Sequence, residues 1–394
     1  MKFAKPKVLA GLDRISSHAA LFRGKRLGII ANQSSIDYQY RHALDLFFED
    51  RKLRVTAAFG PQHGIRGETQ DNMIEWQSFT DRRTGLMMYS LYSQTRKPTP
   101  EMLKDVDALV FDVQDVGARY YTFNYTLALA MEACQESGKE VIVLDRPNPI
   151  TGVGLGGFLL EEGYRSFVGL HPLPHRHGMT VGELASYFRE ERGLRCELHV
   201  IRMKGWKRKM WYDQTGRPWV LPSPNIPTLD SAVVYPGICL LEGTNLSEGR
   251  GTSRPFELIG APWIQPEKLA QRLNRFKLEG VFFRPASFIP TFHKHQGDLC
   301  GGVQIHVVDR DRFDPFLSGC AVLLAFHAED PGRFQWSQPP YEYEYEKLPI
   351  EVLFGTGRLH KMVEEQRSLR EFKKACSEST QGFWKIRKKY LLYS

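Results

Sequence analysis

The sequence predicts an α/β protein: a Rossmann-like parallel sheet domain followed by a smaller α+β C-terminal domain. Two observations carry this. In the first half, short apolar runs alternate with amphipathic stretches at the spacing of βα units, which argues for a parallel sheet covered on both faces. From about Gly260 the character changes, and strand-like runs and helices follow in a different order. Residues 1–258 are assigned to the Rossmann-like domain, carrying most of the site, and residues 259–394 to the α+β domain that closes the cleft.

The strand candidates in order are Arg26 to Ile30, Val55 to Phe59, Ala108 to Phe111, Val141 to Leu144 and Leu198 to Ile201. Between them lie helical stretches at His42 to Glu49, Thr126 to Glu136 and Thr180 to Glu191. The last begins with Thr180 and has Glu183 three residues on, a capping box. In the second half, "APWIQPEKLAQRLNRF" gives a proline-flanked boundary and a helix. Val281 to Phe283 and Val303 to Val307 read as strands, and Pro315 to Phe326 as a helix. "YEYEYEK" (341–347) is short enough to be an edge strand or a loop.

Composition describes an ordinary globular chain, with 42% apolar, 25% charged and 12% aromatic residues. The net charge of +8 is diffuse for 394 residues. Its two clusters (Lys204, Lys207, Arg208, Lys209 and Lys385, Arg387, Lys388, Lys389) read as solvated faces. Nucleic-acid signatures such as zinc-finger spacing are absent, so no nucleic-acid partner is expected. No run of apolar residues reaches membrane-spanning length, and the first fifteen residues lack a signal-type apolar core. Six scattered cysteines with no CxxC suggest neither a zinc site nor a redox pair. The expectation is a cytoplasmic protein without cofactor or metal.

Function is sought where the strands end, because open parallel sheets bind ligands beyond their carboxyl ends. Four strands exit into concentrated polar motifs: "ANQSS" with Asn32; "GPQHGIRGETQDN" with Gln62, His63, Arg66 and Glu68; "FDVQDVGARYYTFN" with Asp112, Gln114, Asp115, Arg119 and Tyr121; and "LDRPNPITG" with Asp145, Arg146 and Asn148. Downstream, "PHRHG" supplies His177 and "LPSPNIPTLDSA" supplies Asn225. "LLEGTNLSEGRGTSRPFE" adds Glu242, Asn245, Glu248, Arg250 and Arg254 among flexible small residues. This density of carboxylate, amide and guanidinium suggests sugar or carboxylate recognition. "GVGLGG" (152–157) trails its strand by several residues with Pro147 and Pro149 between, unlike a dinucleotide fingerprint.

Six long segments then carry a resemblance: "GPQHGIRG", "DVQDVGARYYTF", "LDRPNPITG", "HGMTVGEL", "LPSPNIPTLDSAVVYPGICLLEGTNLSEGRGTSRPFELIGAPW" and "CGGVQIHVVDR". Over nearly its whole length the chain resembles the exo-acting β-N-acetylmuramidases of the NamZ type, once listed as a domain of unknown function. The resemblance implies a bacterial glycoside hydrolase that removes N-acetylmuramic acid from the non-reducing end of peptidoglycan fragments, in cell-wall turnover. Its substrates are muropeptides or muramyl-glucosamine fragments, and its site lies in the cleft between the domains. Glycoside cleavage usually needs two carboxyl groups, one a proton donor. The 2-acetamido group of the sugar can serve as internal nucleophile. The lactyl carboxylate calls for a forked arginine, with Arg66, Arg146, Arg250 and Arg254 as candidates.

One departure matters. The family's usual loop reads Pro-Glu-His-Gly, and here Gln62 stands in the glutamate's place. An amide cannot exchange a proton as a carboxyl group does. Three outcomes stand open: Glu68 supplies the acid with His63 assisting; Asp112, Asp115, Glu242 or Glu248 supplies it; or hydrolysis is lost and a sugar-binding protein remains.

Overall fold

The computed structural model describes residues 4–394. After a 3-10 segment (Leu12–Leu21), the first region runs β1 (Arg26–Ala31), α1 (Ala43–Glu49), β2 (Arg54–Gly60), β3 (Phe79–Thr80), β4 (Met87–Ser90), α2 (Pro100–Leu103) and β5 (Ala108–Asp112). It continues with α3 (Phe123–Ser137), β6 (Glu140–Leu144), the hairpin strands β7 (Gly156–Leu159) and β8 (Pro174–Arg176), α4 (Val181–Glu191) and β9 (Leu198–Ile201). All five strands expected from the first half are present. The sheet order is β3-β4-β2-β1-β5-β6-β9, parallel except for β3.

Side chains alternate across this sheet, as the two-residue period of a strand requires. Ala108 and Val110 of β5 join Leu27, Ile29, Leu44 and Phe47 on one face. Leu109 and Phe111 join Ile30, Phe59, Val141 and Val143 on the other. With both faces covered, β5 is buried from end to end. That explains why it reads as a continuous apolar run rather than an alternating one. The capping box expected at α4 is formed, with Thr180 Oγ1 accepting from the Glu183 amide and Glu183 Oε2 accepting from the Thr180 amide.

The second region runs α5 (Leu229–Ile238), β10 (Leu258–Ala261), α6 (Pro266–Arg275), β11 (Val281–Phe288), β12 (Cys300–Val307) and α7 (Pro315–Glu329). Four short helices close it: α8 (Pro349–Phe354), α9 (Leu359–Glu364), α10 (Leu369–Thr380) and α11 (Phe383–Lys388). Its sheet is antiparallel, in the order β10-β12-β11. The core continues from β5 and β6 through α5 and α7 into this sheet. No helix among the described residues is long and apolar enough to cross a membrane.

The basic clusters are not wholly solvated. Arg208 and Arg387 are buried. Arg208 Nη1 and Nη2 donate to both oxygens of Glu183, at 2.7 and 2.8 Å. The chain terminus lies against this pair, with the Leu392 amide on Glu183 at 2.8 Å and the Tyr393 hydroxyl on Asp145 at 2.5 Å. "GVGLGG" runs into β7, which pairs with β8.

Candidate active site

The chain passes β1, β2 and β4 on one side of the sheet and β5, β6 and β9 on the other, so the order reverses between β1 and β5. A small pocket, with a cavity volume of about 30 Å³, lies beyond the carboxyl ends of these strands. The loop after β2 contributes Gln62, His63 and Asn72, and the loop after β5 contributes Tyr120, Tyr121 and Thr122. Ser223, Tyr235, Glu242, Arg250 and Phe256 come from the segment around α5, and Tyr341 and Glu342 from the stretch before α8.

Two carboxyl groups line the pocket in different settings. Glu242 accepts from Arg250 Nη2 at 2.8 Å and from the Tyr341 hydroxyl at 2.7 Å. Glu342 accepts from Gln62 Nε2 at 3.1 Å and from the Tyr92 hydroxyl at 2.8 Å. Burial raises Glu342 to about 7, a push the hydrogen bonds from Tyr92 and Gln62 only partly offset, and the charge of Glu242 adds to it. Gln62 is held on its other side by Thr122 Oγ1, which donates to its carbonyl at 2.7 Å. Its nitrogen must face Glu342, because a carboxylate can only accept.

Arg250 is the pocket's cation. Its Nε lies 3.2 Å from Glu248, which is completely buried and also faces His293 Nδ1 at 3.2 Å and Lys294 Nζ at 3.0 Å. Burial would raise Glu248, but Lys294, His293 and Arg250 outweigh it and hold the group well below the usual carboxylate range. His63 is lowered to about 4, first by burial and further by Arg250, so its ring is neutral near pH 7. Its Nδ1 donates to the Thr69 carbonyl at 2.9 Å, which leaves Nε2 as an acceptor. The Asn72 Oδ1 is buried without a hydrogen-bond donor, while the Tyr121 hydroxyl faces Ser223. Such a vacancy in a lining suits a polar ligand.

Of the residues singled out in the sequence, Gln62, His63, Tyr121, Glu242 and Arg250 line this pocket. Glu248 stands behind Arg250, and Asn225 ties the wall together through Nδ2 to the Gln70 carbonyl at 2.8 Å. The others lie elsewhere. Glu68 is exposed and folds back onto its own loop, accepting from the Arg66 amide at 3.0 Å, and Arg66 is itself exposed. Asp112 is locked to Arg146 by two bonds of 2.6 and 2.7 Å. Asp115 accepts from the Gly117 amide and Asn124 Nδ2, with His177 Nε2 3.2 Å away. Asn32 and Gln114 each donate to a backbone carbonyl, of Pro222 and of Pro147. Asp145 accepts from Thr180 Oγ1 and the Gly182 amide at the head of α4, and Asn148 donates to the Met179 carbonyl. Arg119 is buried against His175 and the Leu353 carbonyl. Asn245 bonds the backbone of Arg333 and Gln335, and Arg254 pairs with Glu257.

Sequence reasoning missed Asn72, Thr122, Ser223, Tyr341 and Glu342. The signal for the last two was the tyrosine–glutamate alternation of "YEYEYEK", passed over as an edge strand or loop. Among the described residues one trio of potential metal ligands comes together, Glu140, Glu197 and His199. It lies at the opposite, amino-terminal edge of β6 and β9, where Lys25 also pairs with Glu140.

Comparison with known proteins identifies the family of the whole chain. Residues 27–230 match the family model for the N-terminal part of the exo-β-N-acetylmuramidase NamZ, and residues 233–393 match the model for its C-terminal part. The chain is 47% identical over 390 residues to the peptidoglycan β-N-acetylmuramidase NamZ of Bacillus subtilis, covering 99% of this chain and 92% of that protein. Two crystal structures of DUF1343 family proteins from Bacteroides fragilis superpose on it. One has a TM-score of 0.89 at 36% identity, covering 99% of this chain and all of that one. The other has a TM-score of 0.78 at 31% identity, covering 98% and 99%. The chain therefore belongs to the NamZ family of exo-β-N-acetylmuramidases.

Proposed function

We propose that this protein is a glycoside hydrolase that removes β-linked N-acetylmuramic acid from the non-reducing end of peptidoglycan fragments. Family membership supplies the activity class. The observation that carries it onto this chain is the pairing of Glu242 and Glu342 in one pocket under different conditions, one ion-paired with arginine and one raised by burial. Glycoside cleavage usually needs two carboxyl groups, and the one raised by burial can hold the proton to be donated. Around them, Tyr120, Tyr121, Tyr235 and Phe256 offer ring faces, and the Asn72 Oδ1 has unmet hydrogen-bonding capacity.

Arg250 is the lining arginine, and it is the group we assign to the anionic side of the substrate. The muropeptide identity of the substrate is part of this proposal. So is work in a reducing interior, with which six unpaired cysteines agree.

The test is cleavage of a chromogenic β-N-acetylmuramide, with the matching β-N-acetylglucosaminide as control. Release from the muramide alone supports the reading. Absence of release, together with calorimetric binding of N-acetylmuramic acid, would leave a sugar-binding protein instead.

A further inference from the structure

We propose that Glu342, delivered from the far end of the chain, is the proton donor of this glycosidase, and that Gln62 and Tyr92 are positioning residues that aim its carboxyl group. The assignment rests on the glycosidase reading above and goes beyond it by naming the acid.

Geometry is the first support. Gln62 Nε2 reaches both Glu342 Oε1 and the Tyr92 hydroxyl at 3.1 Å, and that hydroxyl donates to Glu342 Oε2 at 2.8 Å. The carboxyl group is thus fixed in plane by a closed three-residue ring. Each of its oxygens keeps a further lone-pair position for a proton or a substrate oxygen.

Backbone conformation is the second. Tyr341 and Glu344 exchange two backbone hydrogen bonds of 2.8 and 2.9 Å across a two-residue turn. Its central residues, Glu342 and Tyr343, have φ of 45° and 67°. Such turns ordinarily take Asn-Gly. Side chains as large as glutamate and tyrosine persist there only where their surroundings hold them. What this turn achieves is to place the Tyr341 hydroxyl on Glu242 and the Glu342 carboxyl on Gln62. His63 and Phe256, which also line the pocket, share the left-handed conformation at 71° and 64°.

Elimination is the third. Asp112 and Asp115 are engaged by partners outside the lining, Glu248 stands behind Arg250 and is held by Lys294, Glu68 is exposed, and Glu242 is tied to Arg250. The groups that face Glu342 are Tyr92, Gln62, Glu242 and Arg250, with Tyr341 and Tyr343 on its own turn. Burial dominates among these influences and holds Glu342 near 7, where an acid is best matched to neutral conditions.

In the reaction, the Glu342 proton passes to the glycosidic oxygen as the C1–O bond breaks, and that bond's electron pair leaves with the oxygen as an alcohol. The substrate's acetamide oxygen shares an electron pair with C1. Water then adds at C1, displaces the acetamide oxygen and returns its proton to the Glu342 carboxylate.

The experiment compares the full chain with Glu342→Gln, Gln62→Glu and Tyr92→Phe. Substrates are the β-linked muramyl-glucosamine disaccharide and 4-nitrophenyl β-N-acetylmuramide. For Glu342→Gln, kcat on the disaccharide falls roughly 10²- to 10⁴-fold, the range a general acid supplies. On the nitrophenyl substrate, whose leaving group needs little protonation, the loss stays below about tenfold. Calorimetric binding of N-acetylmuramic acid is retained. Tyr92→Phe removes a donor to the ionised carboxyl and Gln62→Glu sets a second carboxyl beside it, so in both the alkaline limb of kcat/KM moves to higher pH. Equal losses on the two substrates, or a Glu342→Gln enzyme that keeps its disaccharide activity, overturn the assignment. So does an inactive parent that Gln62→Glu converts into an active enzyme with an unmoved limb, which returns the acid to the loop. A set of proteins that cleaves neither substrate sinks the glycosidase reading itself, and this assignment with it.

Discussion

Replacing Glu248 with glutamine isolates one charge on which the pocket depends. Glu248 is fully buried and faces Arg250 Nε, His293 Nδ1 and Lys294 Nζ within 3.2 Å. Lys294 cannot simply swing into solvent, because its ammonium also donates to the Leu241 and Leu246 carbonyls at 2.8 and 3.1 Å. Removing one partner of a buried ion pair costs about 3–5 kcal/mol, since the surviving charges stay desolvated. Unfolding entropy of ~2.1 cal/mol/K per residue gives ~0.8 kcal/mol per degree for 394 residues. The expected fall in Tm at pH 7 is therefore roughly 4–6 °C by scanning calorimetry.

The sign with pH is fixed. Burial alone would raise Glu248, but the three cations hold it below its unfolded value. A depressed carboxylate contributes its stability above the unfolded value, 4.5, and loses it as pH falls through the folded one. The gap between parent and variant should accordingly narrow in acid. A Tm within 1 °C of the parent at pH 7, or a gap that widens on acidification, would refute the reasoning.

Other perturbations have defined outcomes. Arg250→Lys keeps the charge but cannot meet both Glu242 and Glu248, 2.8 and 3.2 Å from two different guanidinium nitrogens. Losing one charge-assisted bond, about 1.5–3 kcal/mol, lowers kcat/KM roughly ten- to hundredfold in steady-state assays. Thr180→Ala removes the cap of α4 and a 2.9 Å bond to Asp145. It should cost about 1 kcal/mol, seen as a Tm loss of about 1 °C with kcat/KM unchanged. Glu342 stands near 7 when folded against 4.5 when free. Its contribution to stability is present below the unfolded value and lost as pH rises through the folded one. Between pH 4.5 and 8 the parent should lose about 3 kcal/mol relative to Glu342→Gln in denaturant titrations.

The sheet could be read from the sequence because its causes are local. Apolar runs such as Val141 to Leu144 are bounded by turn residues, and Thr180 and Glu183 announce the start of α4 three residues apart. The place of the pocket was legible too, since strand ends in parallel sheets face ligands and the loops after β2 and β5 do line it. What could not be read is which polar residues serve the fold. Asp112 and Arg146 look catalytic in a string of letters, yet they form a buried bidentate pair. Asp145 looks like a ligand-binding carboxylate and instead meets the first turn of α4. Structural and catalytic sites draw on the same chemistry, and only the partner distinguishes them. Glu342 was illegible for the opposite reason. It reaches Gln62 across 280 positions of chain, and the tyrosine–glutamate alternation around it reads equally well as an edge strand.

That long-range contact changes what the amide at position 62 means. A glutamate there, as the family's usual loop has, would set two carboxyl groups about 3 Å apart, where they share a proton and titrate as a pair. With Gln62 the neighbour of Glu342 is a donor in every protonation state, and it cannot contend for the proton. It favours the ionised form, so it lowers the Glu342 value that burial has raised. The substitution therefore leaves the pocket with two carboxyl groups in all, and leaves Glu342 as the carboxyl group outside the ion pair with Arg250. On this argument Gln62 moves the acid from the loop to the turn and sets the pH at which it is spent.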